Sequence, residues 1–208
     1  MDTQLAQESD QSEGFFLNGS SYAVLSKGLL LEPGSLVGFS FRTCLPGELL
    51  RQISGESNQL TLKLDEQGRL VLTLVSEDAR SEAVVEAGLL DARWHTVLLS
   101  VDQETNDLTV NVSNGGGSVV LNAPVIRQLH LQSTQVRVGA GMVACIREGP
   151  GVRFSNNGLS SFSAVHWLSP GQICVLPDTC SGEKTGAWTL KFHVFNVLNY
   201  PLHPSRLI

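Results

Sequence analysis

The segment Leu89-Leu90-Asp91-Ala92-Arg93-Trp94-His95-Thr96-Val97-Leu98-Leu99-Ser100-Val101 decides the reading of the fold. Val97, Leu99 and Val101 recur at every second position. In a β-strand successive side chains point to opposite faces, so these three line one side of a sheet. Trp94 and His95 stand where that strand begins. A large indole at such a place buries about 150–250 Å² and pins the loop before it. His95 is in phase with Val97, Leu99 and Val101, so it is expected to open a core-facing row and to hydrogen-bond the adjacent loop. That is a structural role, not a catalytic one.

The same alternation spreads in both directions. Val37, Phe39 and Phe41 form one row, Leu60, Leu62 and Leu64 another, then Leu70, Leu72 and Leu74, and later Leu108, Val110 and Val112. Helical spacing is not sustained anywhere. Turn-forming residues punctuate the rows: Pro33-Gly34, Pro46-Gly47, Gly55, Glu66-Gln67-Gly68, Asp102 to Asp107, and Asn114-Gly115-Gly116-Gly117. Glycine supplies positive φ there, proline presets φ, and Asp and Asn bond their own backbone. About twelve short strands between Gly14 and Trp167 predict an all-β fold, an antiparallel two-sheet β-sandwich of the jelly-roll type. Gln59–Asp65 with Arg69–Val75 reads as the cleanest hairpin. Residues 1–13 are polar and acidic and read as a disordered lead-in, residues 14–174 as the domain, and 175–208 as a tail or the start of another segment. Within that tail, 181–186 is linker-like and 187–198 is apolar enough for one strand.

Composition narrows the function. The 208 residues carry 14 Lys+Arg against 20 Asp+Glu, a net charge of −6, and only 6% aromatics. The basic residues are scattered, so neither a phosphate-tracking stripe nor a base-stacking platform is expected, and nucleic acid is not an expected partner. No run approaches the ~18–20 apolar residues of a membrane helix, so no membrane insertion within the chain is expected. Cys44, Cys145, Cys174 and Cys180 contain no C-x-x-C spacing, which argues against structural zinc and fits an oxidising compartment. The opening Met1-Asp2-Thr3-Gln4-Leu5 has no basic and then apolar run, so a secretory leader is expected to lie elsewhere in a larger protein or isoform.

Five phrases, in order, resemble a laminin G-like domain, the module of laminins, neurexins, agrin, Crumbs-type proteins and atypical cadherins. They are Phe15-Phe16-Leu17-Asn18-Gly19-Ser20-Ser21-Tyr22, Val37-Gly38-Phe39-Ser40-Phe41-Arg42-Thr43, the hairpin of Gln59–Leu64 with Gln67-Gly68-Arg69-Leu70, Leu89 to Val97, and Val143-Ala144-Cys145-Ile146-Arg147. The match covers residues 14–174. The Leu89–Val97 phrase is similar to the family's L-x-D-G-x-W-H-x-V and is the most specific of the five. Two departures stand out: Ala144 replaces the usual glycine before the cysteine, and the family's Gly-Gly-x-Pro turn is reduced to Val138-Gly139-Ala140-Gly141-Met142. The resemblance implies a laminin G/concanavalin-like sandwich and a Cys145–Cys174 disulfide closing a loop of about 30 residues, worth ~3–4 kcal/mol by loop-closure entropy. Cys44 and Cys180 are left to pair with each other, or Cys180 to serve a neighbouring module.

Sites follow from these readings. No Gly-x-Ser-x-Gly elbow is present, and the carboxylates Asp65, Glu66, Asp102, Glu104 and Asp107 fall in turns, so no catalytic residue and no enzyme is expected. Several relatives hold Ca²⁺ at the sandwich rim through an Asp at the position of Asn58. An amide oxygen can ligate calcium but lacks the charge such sites rely on, so calcium is a weak candidate and no other cofactor is expected. Asn18-Gly19-Ser20 and Asn111-Val112-Ser113 are glycosylation sequons; Asn111 is expected to face solvent and Asn18 to be partly covered. The resemblance implies an extracellular or cell-surface adhesion module that recognises a protein or glycan through rim loops, with 55–59, 102–107 and 113–117 as the loops of interest. A lectin-like or small apolar ligand (steroid-type) carrier is the alternative, which would call on Trp94, Trp167 or Trp188 as an aromatic platform. A jelly-roll hydrolase is the third reading, needing two carboxylates about 5–9 Å apart.

Overall fold

The computed structural model describes residues 14–25, 29, 31–54, 58–76, 79–85, 88–105, 107–113, 118–121, 134–153, 159–163, 166–168, 173–177 and 180. The lead-in 1–13, the loop residues 55–57 and 114–117, and 181–208 lie outside them.

Fourteen strands are present, against the dozen expected: β1 Gly14–Asn18, β2 Tyr22–Leu25, β3 Leu36–Thr43, β4 Gly47–Ser54, β5 Asn58–Leu64, β6 Leu70–Val75, β7 Arg80–Val85, β8 His95–Val101, β9 Leu108–Val112, β10 Ser118–Leu121, β11 Thr134–Val138, β12 Val143–Arg147, β13 Leu159–Ser163 and β14 His166–Leu168. No α-helix occurs among the described residues. The strands form two seven-stranded sheets. Sheet A runs β10-β9-β8-β3-β12-β1-β14 and sheet B runs β13-β2-β11-β4-β5-β6-β7, with every pairing antiparallel. The fold class read from the alternation is the one observed.

The alternating rows meet between the sheets. Phe39, Phe41, Val97, Leu99, Val110 and Ile146 from sheet A, with Leu50, Leu60, Leu62, Leu72, Leu74 and Val136 from sheet B, belong to one buried cluster. Removing one such Leu side chain to Ala costs about 2–5 kcal/mol, lost transfer energy plus the cavity left behind. The predicted hairpin is in place, with Leu64 opposite Leu70 and Gln59 opposite Val75. Asp65 shapes its turn: one carboxylate oxygen accepts the N–H groups of Gln67 and Arg69, the other the Arg69 Nε at 2.6 Å. Leu49 and Leu50 are both fully buried although adjacent, because a bulge between Glu48 and Leu50 shifts the register of β4.

Both family departures have local explanations. Ala144 is buried and core-facing, opposite Leu17 and Thr43, so its methyl packs where a glycine would leave space. The shortened glycine turn joins β11 to β12. Gly139 has φ 71° and donates its N–H to Leu49 O, and a Cβ there would lie 1.9 Å from Leu17 Cδ1. Only glycine fits that approach.

Candidate functional site

The strand start at Trp94-His95 is built as a latch. Asp91 Oδ1 accepts the Arg93 N–H at 2.9 Å and lies 2.7 Å from His95 Nε2. His95 is 3% exposed and packs its ring 5.9 Å from Phe41, which is its partner across β3 and β8. The core-facing, loop-bonding role expected of it is therefore what the structure shows. Burial tends to raise the Asp91 carboxyl, but the His95 hydrogen bond, the Arg93 N–H and the charges of both side chains outweigh it and hold it below the ordinary value. His95 Nδ1 is buried and has no hydrogen-bond partner among the described residues. A Ser-His-Asp relay needs a hydroxyl at that second nitrogen, so this pair does not form one. Between Asp91 and Trp94 the chain bends through Ala92 at φ 60°, the only positive φ outside glycine among the described residues.

Trp94 points away from His95, to the outside of sheet A. There it joins Phe16, Ala92, Leu168 and Leu176 around Cys145, Cys174 and Cys180, a second small apolar cluster. Arg147 lies over the indole at 4.0 Å from its centroid. Cys145–Cys174 and Cys44–Cys180 are both disulfide-bonded and no cysteine among the described residues is free. Residues 173–177 thus cross the outer face of sheet A as a strap, with Cys174 and Leu176 turned in and Ile173 and Val175 turned out. Arg42 binds both parts of this face, donating from Nε to Ala92 O at 2.6 Å and from Nη1 to Cys174 O at 3.2 Å. The packed unit therefore continues past the boundary expected at residue 174 to Cys180. Trp94 is half-buried, with Arg147 over one face of its ring; the Trp167 side chain and Trp188 lie outside the described residues.

Two of the turn carboxylates, Asp65 and Asp102, hold backbone. Asp102 accepts the N–H groups of Glu104 and Thr105 and the Thr105 hydroxyl. Those two N–H groups, Thr105's first, keep its carboxyl below the ordinary value against a small effect of burial. The turn it fixes stands beside Pro33-Gly34, and between them lies an open cleft of about 480 Å³ bordered by Ser35, Leu36, Ser100, Gln103 and Glu104. Glu104, Gln103 and Asp102 are exposed. Of the expected rim loops this is the one largely within the described residues; 55–57, Asn106 and 114–117 are outside.

Asn58 begins β5 with its Oδ1 buried and without a hydrogen-bond partner among the described residues. Among the described residues no cluster of three His, Cys, Asp or Glu side chains suited to a metal occurs, and 55–57, next to Asn58, lie outside them. An amide oxygen lacks the charge on which a hard-cation site mainly relies. Asn18 corrects an expectation: it is exposed rather than partly covered, and its Oδ1 accepts both the N–H (3.0 Å) and the hydroxyl (2.9 Å) of Ser20. Asn111 sits inside sheet A between Leu98 and Ser118, half-buried.

One surface was not anticipated. The outward face of sheet B carries a groove of about 350 Å³ bordered by Arg51, Gln59, Thr61, Lys63, Thr73 and Arg80. Register explains it: Arg137, Arg51, Thr61, Thr73 and Glu82 stand opposite one another across five strands. β5 shows polar residues at alternate positions, Gln59, Thr61 and Lys63, but β6 contributes Thr73 alone between Val71 and Val75. The row itself needs the strand order.

No known protein family's sequence pattern matches the chain, and no curated protein matches it in sequence. Its structure is similar to laminin G domains. Domains LG4-5 of the mouse laminin alpha1 chain superpose with a TM-score of 0.59 at 20% identity, covering 74% of this chain and 46% of that one. The LG1-3 region of the laminin alpha2 chain superposes with a TM-score of 0.61 at 16% identity, covering 76% of this chain and 34% of that one. The chain thus spans less than half the length of either. Its fold is laminin G-like, as the five phrases implied.

Proposed function

We propose that this chain is a non-catalytic extracellular recognition module that binds a protein or glycan ligand through loops at the rim of its sandwich. The observation that carries the reading is the cleft between Gly34–Leu36 and Asp102–Glu104. There a turn locked by Asp102 presents exposed polar side chains on a rigid frame. Loops held by a scaffold are where binding residues concentrate. Laminin G-like structure and two disulfides support an oxidising, extracellular setting. Of the side chains that would serve a hydrolase, His95, Asp65 and Asp102 are engaged in bonds that hold the fold. Calcium, if a ligand requires it, would draw on Asn58 Oδ1 together with groups from the ligand.

Two measurements test this. Intact mass after alkylation of the secreted chain is expected to show no free thiol; four alkylated cysteines would overturn the compartment. The immobilised chain, screened against extracellular ectodomains and glycans, is expected to retain a ligand that Gln103→Ala/Glu104→Ala releases. Silence across both sets, or retention unaffected by that variant, removes the rim reading.

A further inference from the structure

We infer that Asn18 carries an N-linked oligosaccharide and that Asn111, in the second sequon, does not, so that the glycan covers the end of the sandwich opposite the rim cleft. The inference rests on the reading of the chain as an extracellular module, which takes it through the secretory pathway.

Geometry at Asn18 is the first argument. This residue ends β1 and is exposed, as is Ser20. Gly19 takes φ 90°, which residues with a side chain rarely adopt, and the turn brings Ser20 back to Asn18. Asn18 Oδ1 accepts the Ser20 N–H at 3.0 Å and the Ser20 hydroxyl at 2.9 Å. These bonds occupy the amide oxygen alone. Nδ2 makes no hydrogen bond to a described residue, so replacing one of its two hydrogens by a sugar breaks nothing in the fold. The transfer is a substitution at carbon. Nδ2 bonds to C1 of the first sugar of a polyprenyl-diphosphate oligosaccharide and loses a proton, while the C1–O bond breaks and the diphosphate leaves with the electron pair.

Asn111 differs on each count. It lies within β9, half-buried, between Leu98 of β8 and Ser118 of β10. The hydroxyl of its sequon is spent, since Ser113 Oγ accepts the Thr96 N–H at 2.9 Å, and Ser113 donates its own N–H to Thr96 O at 2.9 Å. Strands β8 and β9 pair locally across the Asp102 turn, whereas the partner of Asn18 is Val143, far along the chain. Local contacts form faster than distant ones. A transferase that reads an extended chain therefore loses Asn111 early and keeps Asn18 within reach.

Placement is the third argument. Strand β3 runs from Leu36, at the cleft, to Thr43, whose hydroxyl donates to Val143 O at 2.8 Å opposite Asn18. Its eight residues, rising about 3.4 Å each, set the two ends about 24 Å apart. A glycan on Asn18 thus leaves Gln103 and Glu104 open to a ligand. Asn111 is two residues from Thr109 on the same side of β9, and Thr109 borders the cleft. A glycan there would crowd it.

The test sends the full 208-residue chain through the secretory pathway of cultured animal cells behind a cleavable leader. Intact mass before and after a peptide N-glycosidase is expected to show one glycan. Release in heavy-oxygen water should mark Asn18 and not Asn111, and should be as complete from the folded protein as from the denatured one. Asn18→Gln and Ser20→Ala are each expected to abolish the mass shift, Ser20→Thr to keep it, and Asn111→Gln to leave it unchanged. A secreted chain without a glycan, a mark at Asn111, or a shift that survives Asn18→Gln overturns the inference. Where the cysteines of that material are oxidised, such a result leaves the recognition reading standing. Four free thiols and no glycan overturn both.

Discussion

The two outer faces of the sandwich have been treated in opposite ways. Outside sheet A, an apolar cluster is roofed by residues 173–177, pinned by two disulfides and by Arg42. Outside sheet B, the alternate positions mix polar side chains such as Arg51, Thr61, Lys63 and Thr73 with apolar ones such as Val71 and Val75, and no described segment is seen to cross Arg51, Lys63 or Arg80. The inner faces contribute jointly to one core. The difference teaches that a sandwich needs only its inner faces for cohesion. What happens outside is free to differ, closed on one side and open on the other.

Cutting the roof is the strongest way to challenge this contrast. Cys44→Ala/Cys180→Ala opens a loop with a sequence separation of 136, for which loop-closure entropy gives a loss of about 4–5 kcal/mol. Urea unfolding of the secreted variant measures it. A loss under about 1 kcal/mol would mean that packing alone holds the strap.

Next comes the latch beneath the roof. Asp91→Ala leaves His95 Nε2 buried without its partner and is expected to cost about 1–3 kcal/mol at neutral pH. Because the folded-state value of Asp91 is depressed, its contribution is complete above the ordinary carboxylate value of 3.8 and is lost as the pH falls through the lower folded one. Thermal melts of both proteins between pH 6 and 2 should therefore converge at the acid end. A gap that stays constant would detach Asp91 from the effect.

A smaller effect of opposite sign is expected one residue on. Ala92 occupies the left-handed region at φ 60°, which costs an L-residue about 1–2 kcal/mol. Glycine removes that strain but adds freedom to the unfolded chain. Ala92→Gly should thus stabilise by about 0.5–1 kcal/mol, read as a rise in urea midpoint at unchanged slope. The smallest effect belongs to the open face. Lys63→Gln should shift stability by less than about 0.5 kcal/mol, as exposed substitutions do, and a larger loss would show that this face too is structural.

How much of this was legible in the sequence follows the range of the interactions. Period two at Val97, Leu99 and Val101 is local physics, and it identified β8 and the inward turn of His95 correctly. The Asp65 turn was legible for the same reason. Cys44–Cys180 was legible only as one of two alternatives, because nothing near either cysteine says that a strap returns to the end of β3. The row outside sheet B was hidden more deeply. Arg51, Thr61 and Thr73 belong to three strands, and only register brings them into one row. Asn18 was misread because its exposure depends on the Ser20 bonds at the end of β1, which no alternation reports.

The placement of β1 has a consequence for how the protein is made. This first strand lies between β12 and β14, with Phe15 opposite both Ile146 and Trp167. Its neighbours are translated long after it, so β1 must wait, unpaired, while most of the other strands are synthesised. Cys44 waits with it for Cys180. Assembly of sheet A is therefore a late event, in which a thiol translated early must be kept from bonding to Cys145 until its own partner arrives.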